Sequence, residues 1–126
     1  MARVLALIPD LLFGSRVQAA LQSAGHEAEL VGDEQALRER LEDPAAPVAA
    51  LLVVDLTSPD LDGATLVEAL SAEGGLADIP TLGFYSHVDV HARERATQAG
   101  LDVIVPRSRM AREGRELVGR MVASPR

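Results

Sequence analysis

Short apolar runs alternate along this chain with stretches in which apolar residues recur every three or four positions. Residues 3–8 (RVLALI) form an apolar run stopped by Pro9-Asp10, and residues 48–55 (VAALLVVD) form a second that ends on a carboxylate. Unbroken apolar runs of this length read as strands covered on both faces, as in a parallel sheet. Residues 79–85, entered through Pro80, and residues 101–105 read as two more strands. Residues 27–31 alternate weakly, in the manner of an edge strand.

Helical patterns fill the gaps. Phe13, Val17, Ala20, Leu21 and Ala24 share one face of a helix over 13–24, with Gly25 as its terminator. Asp33 can cap a short helix through Leu41. After a loop over 43–47 and the strand ending at Asp55, Asp62 can cap a third helix over 63–72, burying Leu66, Val67 and Leu70. A loop over 72–78 follows. Ser86-His87-Val88-Asp89 has the Ser-x-x-acid form of a capping box and predicts a fourth helix that ends at Ala99 and closes at Gly100. The last helix is expected between about 108 and 122, with Gly114 weakening or delaying its start. Five strands alternating with five helices predict an α/β fold, a doubly wound parallel sheet with right-handed crossovers. The expectation is one domain over 1–126, with no repeat, no linker and no room for an output domain.

Composition narrows the chemistry. With 48% hydrophobic residues the 126-residue chain can bury a core, and with 2% aromatics that core must be aliphatic. The scarcity of rings also argues against single-strand nucleic-acid binding. Nineteen acidic against 12 basic residues leave a net charge of −7, which repels a phosphate backbone on average. The basic residues cluster late, at Arg107, Arg109, Arg112, Arg115, Arg120 and Arg126, either as a patch for an acidic partner or as a solvated helix face. The absence of cysteine removes disulfides, thiolate metal sites and thiol nucleophiles. No apolar run approaches the ~20 residues needed to span a bilayer, and Pro9-Asp10 end the N-terminal run too early for a signal peptide. A cytoplasmic location, with no nucleic-acid or membrane partner, is the expectation.

The densest chemistry lies in 51–63, LLVVDLTSPDLDG. Asp55 ends the central strand and is thereby held at the carboxyl edge of the sheet, where open α/β folds keep their sites. Pro59 and Asp62-Gly63 follow at fixed spacing. Other candidates are weaker. His87 and His91 stand four apart, a spacing that can seat a metal, but without an evident third ligand they read as surface histidines. Gly14-Ser15 and Gly74-Gly75 lack the surroundings of a phosphate loop. Ser58 and Ser86 lack a base and an elbow.

The run from Asp55 to Gly63, with Gln98-Ala99-Gly100 and Gly25, resembles the receiver domain of response regulators over nearly the whole chain. The resemblance implies a CheY-like, flavodoxin-like sheet of order 2-1-3-4-5. It also implies an Asp phosphoacceptor on strand three, two acids after strand one that hold Mg²⁺ with it, a Ser or Thr ending strand four, and a Lys ending strand five. Here Asp55 stands at the acceptor. Ile8-Pro9 stand where the acidic pair is expected, with Asp10 one residue late. Tyr85, with Ser86 beside it, takes the hydroxyl position, Arg107 the lysine, and Ile104 the aromatic switch. Mg²⁺ needs near-octahedral oxygen ligation, so no cofactor is expected beyond weak Mg²⁺ binding through Asp10 and Asp55. Asp55 is expected either to keep acceptor chemistry or to act structurally, paired with Arg107 or capping a loop. Asp10 is expected as a ligand or as the N-cap of the first helix.

The resulting expectation is a stand-alone, non-enzymatic pseudo-receiver of two-component or phosphorelay signalling, acting as a protein-interaction module. Its interaction surface is expected on helix four, strand five and helix five: Arg93, Arg95, Ile104, Arg107, Arg109, Arg112 and Arg115. The expected partner is a histidine kinase, an output protein or another signalling protein, or a second copy in a homodimer. Two alternatives stand beside it: a single-domain response regulator phosphorylated on Asp55, and a small flavodoxin-like ligand-binding domain or enzyme.

Overall fold

The computed structural model describes residues 2–123, so Arg126 lies outside the described residues. Five strands, β1 (Arg3–Leu7), β2 (Glu27–Val31), β3 (Leu51–Asp55), β4 (Thr81–Tyr85) and β5 (Val103–Pro106), form one sheet of order β2-β1-β3-β4-β5. Every neighbouring pair is parallel. The helices between and after them are α1 (Leu11–Ser23), α2 (Glu34–Glu42), α3 (Gly63–Ala72), α4 (Ala92–Ala99) and α5 (Arg107–Ala123).

The alternation of side chains along each strand divides the core in two. Val4, Ala6, Leu51, Val53, Leu82 and Phe84 pack with α1 and α5. Leu5, Leu7, Leu52 and Val54 pack with α2, α3 and α4. Strands β1 and β3 are buried at every position, which is why they read as unbroken apolar runs.

Five predicted starts move by two or more residues, each for a local reason, while Gly114 neither delays nor breaks α5, which runs from Arg107. Helix α1 begins at Leu11, not Phe13, because Asp10 caps it. Strand β3 begins at Leu51, not at residue 48, because its ladder with β1 starts at the pair Val4 and Leu51; Val48 is left 83% exposed. Strand β4 begins at Thr81, because Pro80 has no N–H to give; its carbonyl still accepts from Leu52 N. Strand β5 begins at Val103, because Leu101 belongs to the end of α4: Leu101 N–H donates to the Ala96 carbonyl and Gly100 N–H to that of Thr97, with Gly100 at φ +97°. The same motif ends α1, where His26 N–H reaches Leu21 and Gly25 sits at φ +92°. Finally, α4 begins at Ala92 and not just after Ser86. The Ser86 capping box does not form; the Ser86 carbonyl closes a turn with Asp89 N–H, and the Asp89 carboxylate caps the amides of His91 and Ala92.

Sequence reading missed a polar hub at the amino edge of the sheet. Arg3 is 6% exposed, and its guanidinium donates to Glu29 and to the carbonyls of Pro47 and Arg40. Glu29 also accepts from Arg40. One strand residue thus ties β2, α2 and the 43–50 connection together. An arginine at the start of an apolar run gives no sign of this, since its partners are 26 to 44 residues away. No helix among the described residues is long and apolar enough to cross a membrane.

Candidate functional site

The carboxyl ends of β1, β3, β4 and β5 gather the residues singled out above. Asp55 is 1% exposed. Its Oδ1 accepts from both the amide and the hydroxyl of Thr57, each at 2.7 Å. Of the structural roles weighed for Asp55, this is the capping of a neighbouring loop. The backbone beyond it is held by Gly63: a Cβ there would lie 2.7 Å from Val54 Cγ1 and 2.9 Å from the Asp55 carbonyl oxygen. Glycine at this point lets the first turn of α3 close onto the end of β3. Asp62, capping α3 through the Thr65 amide, completes the loop.

Arg107 does not pair with Asp55. It donates to Asp10 Oδ2 at 3.2 Å and lies 4.1 Å above the Phe13 ring, a cation–π contact. The reason is placement. Arg107 opens α5, which packs beside α1, so its side chain reaches the start of α1. Asp10 meets it there as the N-cap of α1, its Oδ1 accepting from the amides of Leu12 and Phe13. The Phe13 amide, then Arg107, holds the Asp10 carboxyl below its ordinary range.

This geometry decides the fit to Mg²⁺. Ile8 is fully buried and Pro9 half-buried, and neither carries an oxygen donor on its side chain. Asp10 has one oxygen on the helix cap and the other on Arg107. Among the described residues, no group of three or more His, Cys, Asp or Glu is placed to hold a metal. The donor set does not fit the octahedral oxygen shell of Mg²⁺.

The remaining predicted residues fall in two places. Tyr85 and Ser86, half-buried, line a hollow with Thr57 and Arg107. Pro59 lines a different hollow with Asp62 and Arg95. Arg95 donates to both oxygens of Asp62, at 2.9 and 2.8 Å. It therefore faces α3, not β5 and α5, and leaves the predicted surface. Arg93 is exposed, Ile104 is half-buried on β5, and Arg109 and Arg112 approach Glu113 on α5. Helices α4 and α5 cover opposite faces of the sheet, so Arg93 and the α5 arginines meet only around the β5 edge.

Sequence reasoning also missed an apolar rim. Leu11, Leu12, Val88 and Val90 are 68 to 78% exposed. They sit in the segments just after β1 and β4, hence at the same carboxyl edge as Asp55. The signal was present: Leu11 and Leu12 stand outside the helical stripe of α1.

No family model and no curated protein matches the sequence. Solved structures do match it in three dimensions. The receiver domain of a Francisella response regulator superposes with a TM-score of 0.82 at 15% identity, covering 98% of each chain. The receiver domain of a Pseudomonas aeruginosa sensor histidine kinase, solved with magnesium in its active-site cleft, gives 0.81 at 20% identity and 98% of each chain. The Vibrio cholerae chemotaxis protein CheY4 gives 0.81 at 18% identity, covering 96% of this chain and 98% of its own. At these identities the likeness is one of fold: a CheY-like, flavodoxin-like α/β sheet.

Proposed function

We propose that this chain is a receiver-like signalling domain that works as a protein-interaction module without ordinary Mg²⁺-dependent phosphorylation. The observation that carries the reading is the replacement of the acidic pair by Ile8 and Pro9, with Asp10 committed to the α1 cap and to Arg107. A carboxylate attacking a phosphoryl group needs cationic help against the incoming negative charge. Here the cation nearest in role, Arg107, is drawn to Asp10 instead. The interaction half of the reading is supported by two exposed apolar pairs at the carboxyl edge of the sheet, Leu11 with Leu12 after β1 and Val88 with Val90 after β4. The partner on this reading is a kinase, an output protein or another copy.

Incubation with acetyl phosphate and Mg²⁺, followed by intact-mass spectrometry, tests it. The expected spectrum shows the unmodified mass. One observation favours a second reading, a response regulator phosphorylated on Asp55: the carboxylate stands at the carboxyl end of β3. A phosphoryl adduct that disappears in Asp55→Asn establishes that second reading and removes the first.

A further inference from the structure

Helices α1 and α5 pack against each other on one face of the sheet, and the seam between them is not filled. Two adjoining hollows open along it, of about 190 and about 640 Å³, with Phe13, Arg16 and Ala111 as shared walls. Small side chains leave the space: Ala20 on α1, and Ala111 and Gly114 on α5, line the narrower hollow. Its floor is the outer edge of the core residues Phe13, Val17, Leu21 and Met110, each at most 8% exposed, and its walls supply most of the accessible apolar surface. The wider hollow continues to the carboxyl edge of the sheet, past Tyr85, Ser86 and Ser108.

The charge along this seam has one sign. Arg16, Arg107, Arg112 and Arg115 line the two hollows, and no Asp or Glu does, on a chain whose net charge is −7. Two of the four are engaged: Arg107 with Asp10, and Arg112 at 3.7 Å from Glu113. The guanidinium groups of Arg16 and Arg115 have no ion-pair or hydrogen-bond partner among the described residues. Two guanidinium groups without partners, on the rim of one hollow with apolar walls, attract an anion that also carries apolar surface.

We propose that the α1–α5 seam binds a small amphipathic organic anion, its apolar body between the helices and its carboxylate or phosphate head on Arg16 and Arg115. The dimensions select a small molecule. Cavities of a few hundred Å³ suit such ligands, whereas a partner helix is ~10 Å across and does not enter a hollow of about 190 Å³. The chemistry selects both halves of the ligand. A bare inorganic anion leaves the apolar walls at Ala20 and Ala111 uncovered, and a neutral apolar ligand leaves the arginines unused. The narrower hollow, which holds Arg115 and the ligand's body, is lined by neither Asp55 nor Thr57, so the proposal does not rest on the function proposed for Asp55.

Titration of the ¹⁵N-labelled chain with octanoate and with octyl phosphate tests the proposal. At least one of the two should give saturable shifts of amides around Arg16, Ala111 and Arg115, and comparing them shows which head group the site prefers. Octylammonium, octanol and inorganic phosphate should give weaker binding or none. Arg16→Glu with Arg115→Glu should weaken binding by at least about tenfold, roughly the effect of losing a single charge-assisted hydrogen bond. Both positions are exposed, so circular dichroism should show the fold intact. Ala111→Trp, which fills the seam without changing charge, should also weaken binding. The proposal is overturned by failure of both anions to saturate in the millimolar range. It is equally overturned by shifts centred elsewhere, by octylammonium, octanol or inorganic phosphate binding as well as the amphipathic anions, or by wild-type affinity in the folded double variant.

Discussion

Asp10 and Arg3 show how differently two ion pairs of one chain are set. Asp10 and Arg107 are both near 40% exposed at the side chain, so solvent screens their attraction, and either can exchange its partner for water. Arg3 has a side chain 5% exposed and three acceptors, two of them backbone carbonyls that no other side chain replaces. Removing Arg3 takes the side-chain donor from the Pro47 and Arg40 carbonyls and leaves Glu29 with Arg40 alone. Arg3→Ala is therefore expected to destabilise by about 2–4 kcal/mol. Arg107→Ala should shift the urea midpoint clearly less, because Asp10 keeps its helix cap. Equal midpoint shifts for the two variants would show that Arg107 sits in a buried pair after all. The Asp55 to Thr57 bonds belong to the same scale: the only information they needed was a hydroxyl two residues beyond a carboxylate, and that was visible in the sequence.

Between elements, close approach is set by glycines whose reasons differ. Gly63 lies where α3 meets the end of β3, and a methyl group there collides with a backbone carbonyl that cannot move without the strand. Gly63→Ala should cost about 1–3 kcal/mol, the usual penalty for overpacking. Gly119 lies within α5, with open space where a Cβ would sit. Gly119→Ala should stabilise by about 0.5–1 kcal/mol, since alanine gives up less backbone freedom in a helix. Thermal or urea unfolding of the two variants should give shifts of opposite sign; a loss of stability in Gly119→Ala would mean that α5 packs against something at that position. The elements whose starts were misjudged, α1, β3, β4, β5 and α4, share a cause. Their limits depend on a partner strand or on a cap formed by one of several eligible polar residues.

Acid titration probes the molecule as a whole, because its lowered carboxyls lie on different elements. Arg3, and then Arg40, hold Glu29 below its ordinary value of 4.5. The Thr65 amide lowers Asp62, with Arg95 adding to it, and Arg38 lowers Glu73. A carboxyl whose folded pKa is depressed contributes stability that is fully present above its unfolded value and is lost as pH falls through the folded value. Urea midpoints should therefore be level near neutrality and fall on the acid side of the ordinary Glu value of 4.5. Glu29→Gln should lower stability at neutral pH and reduce its acid dependence. An unchanged acid slope in that variant would remove Glu29 from the linked groups.

Much of this protein was legible in its residues. Unbroken apolar runs marked β1 and β3, helical spacing marked α1 and α3, and Gly25 and Gly100 marked helix ends, because burial and left-handed backbone are demands that a residue type answers locally. The position of Asp55 at the strand end followed from the same pattern. Pairing did not follow. That Arg107 turns to Asp10, that Arg95 turns to Asp62, and that Arg3 gathers three distant acceptors are consequences of which helices share a face of the sheet. The unfilled seam beside Arg16 and Arg115 is of the same kind: each residue is ordinary for a helix surface, and only packing α1 on α5 brings them together over an apolar floor. An arginine can reach several carboxylates, and local sequence carries no preference among them. The relative placement of whole elements, set by burying two separate apolar faces, makes the choice.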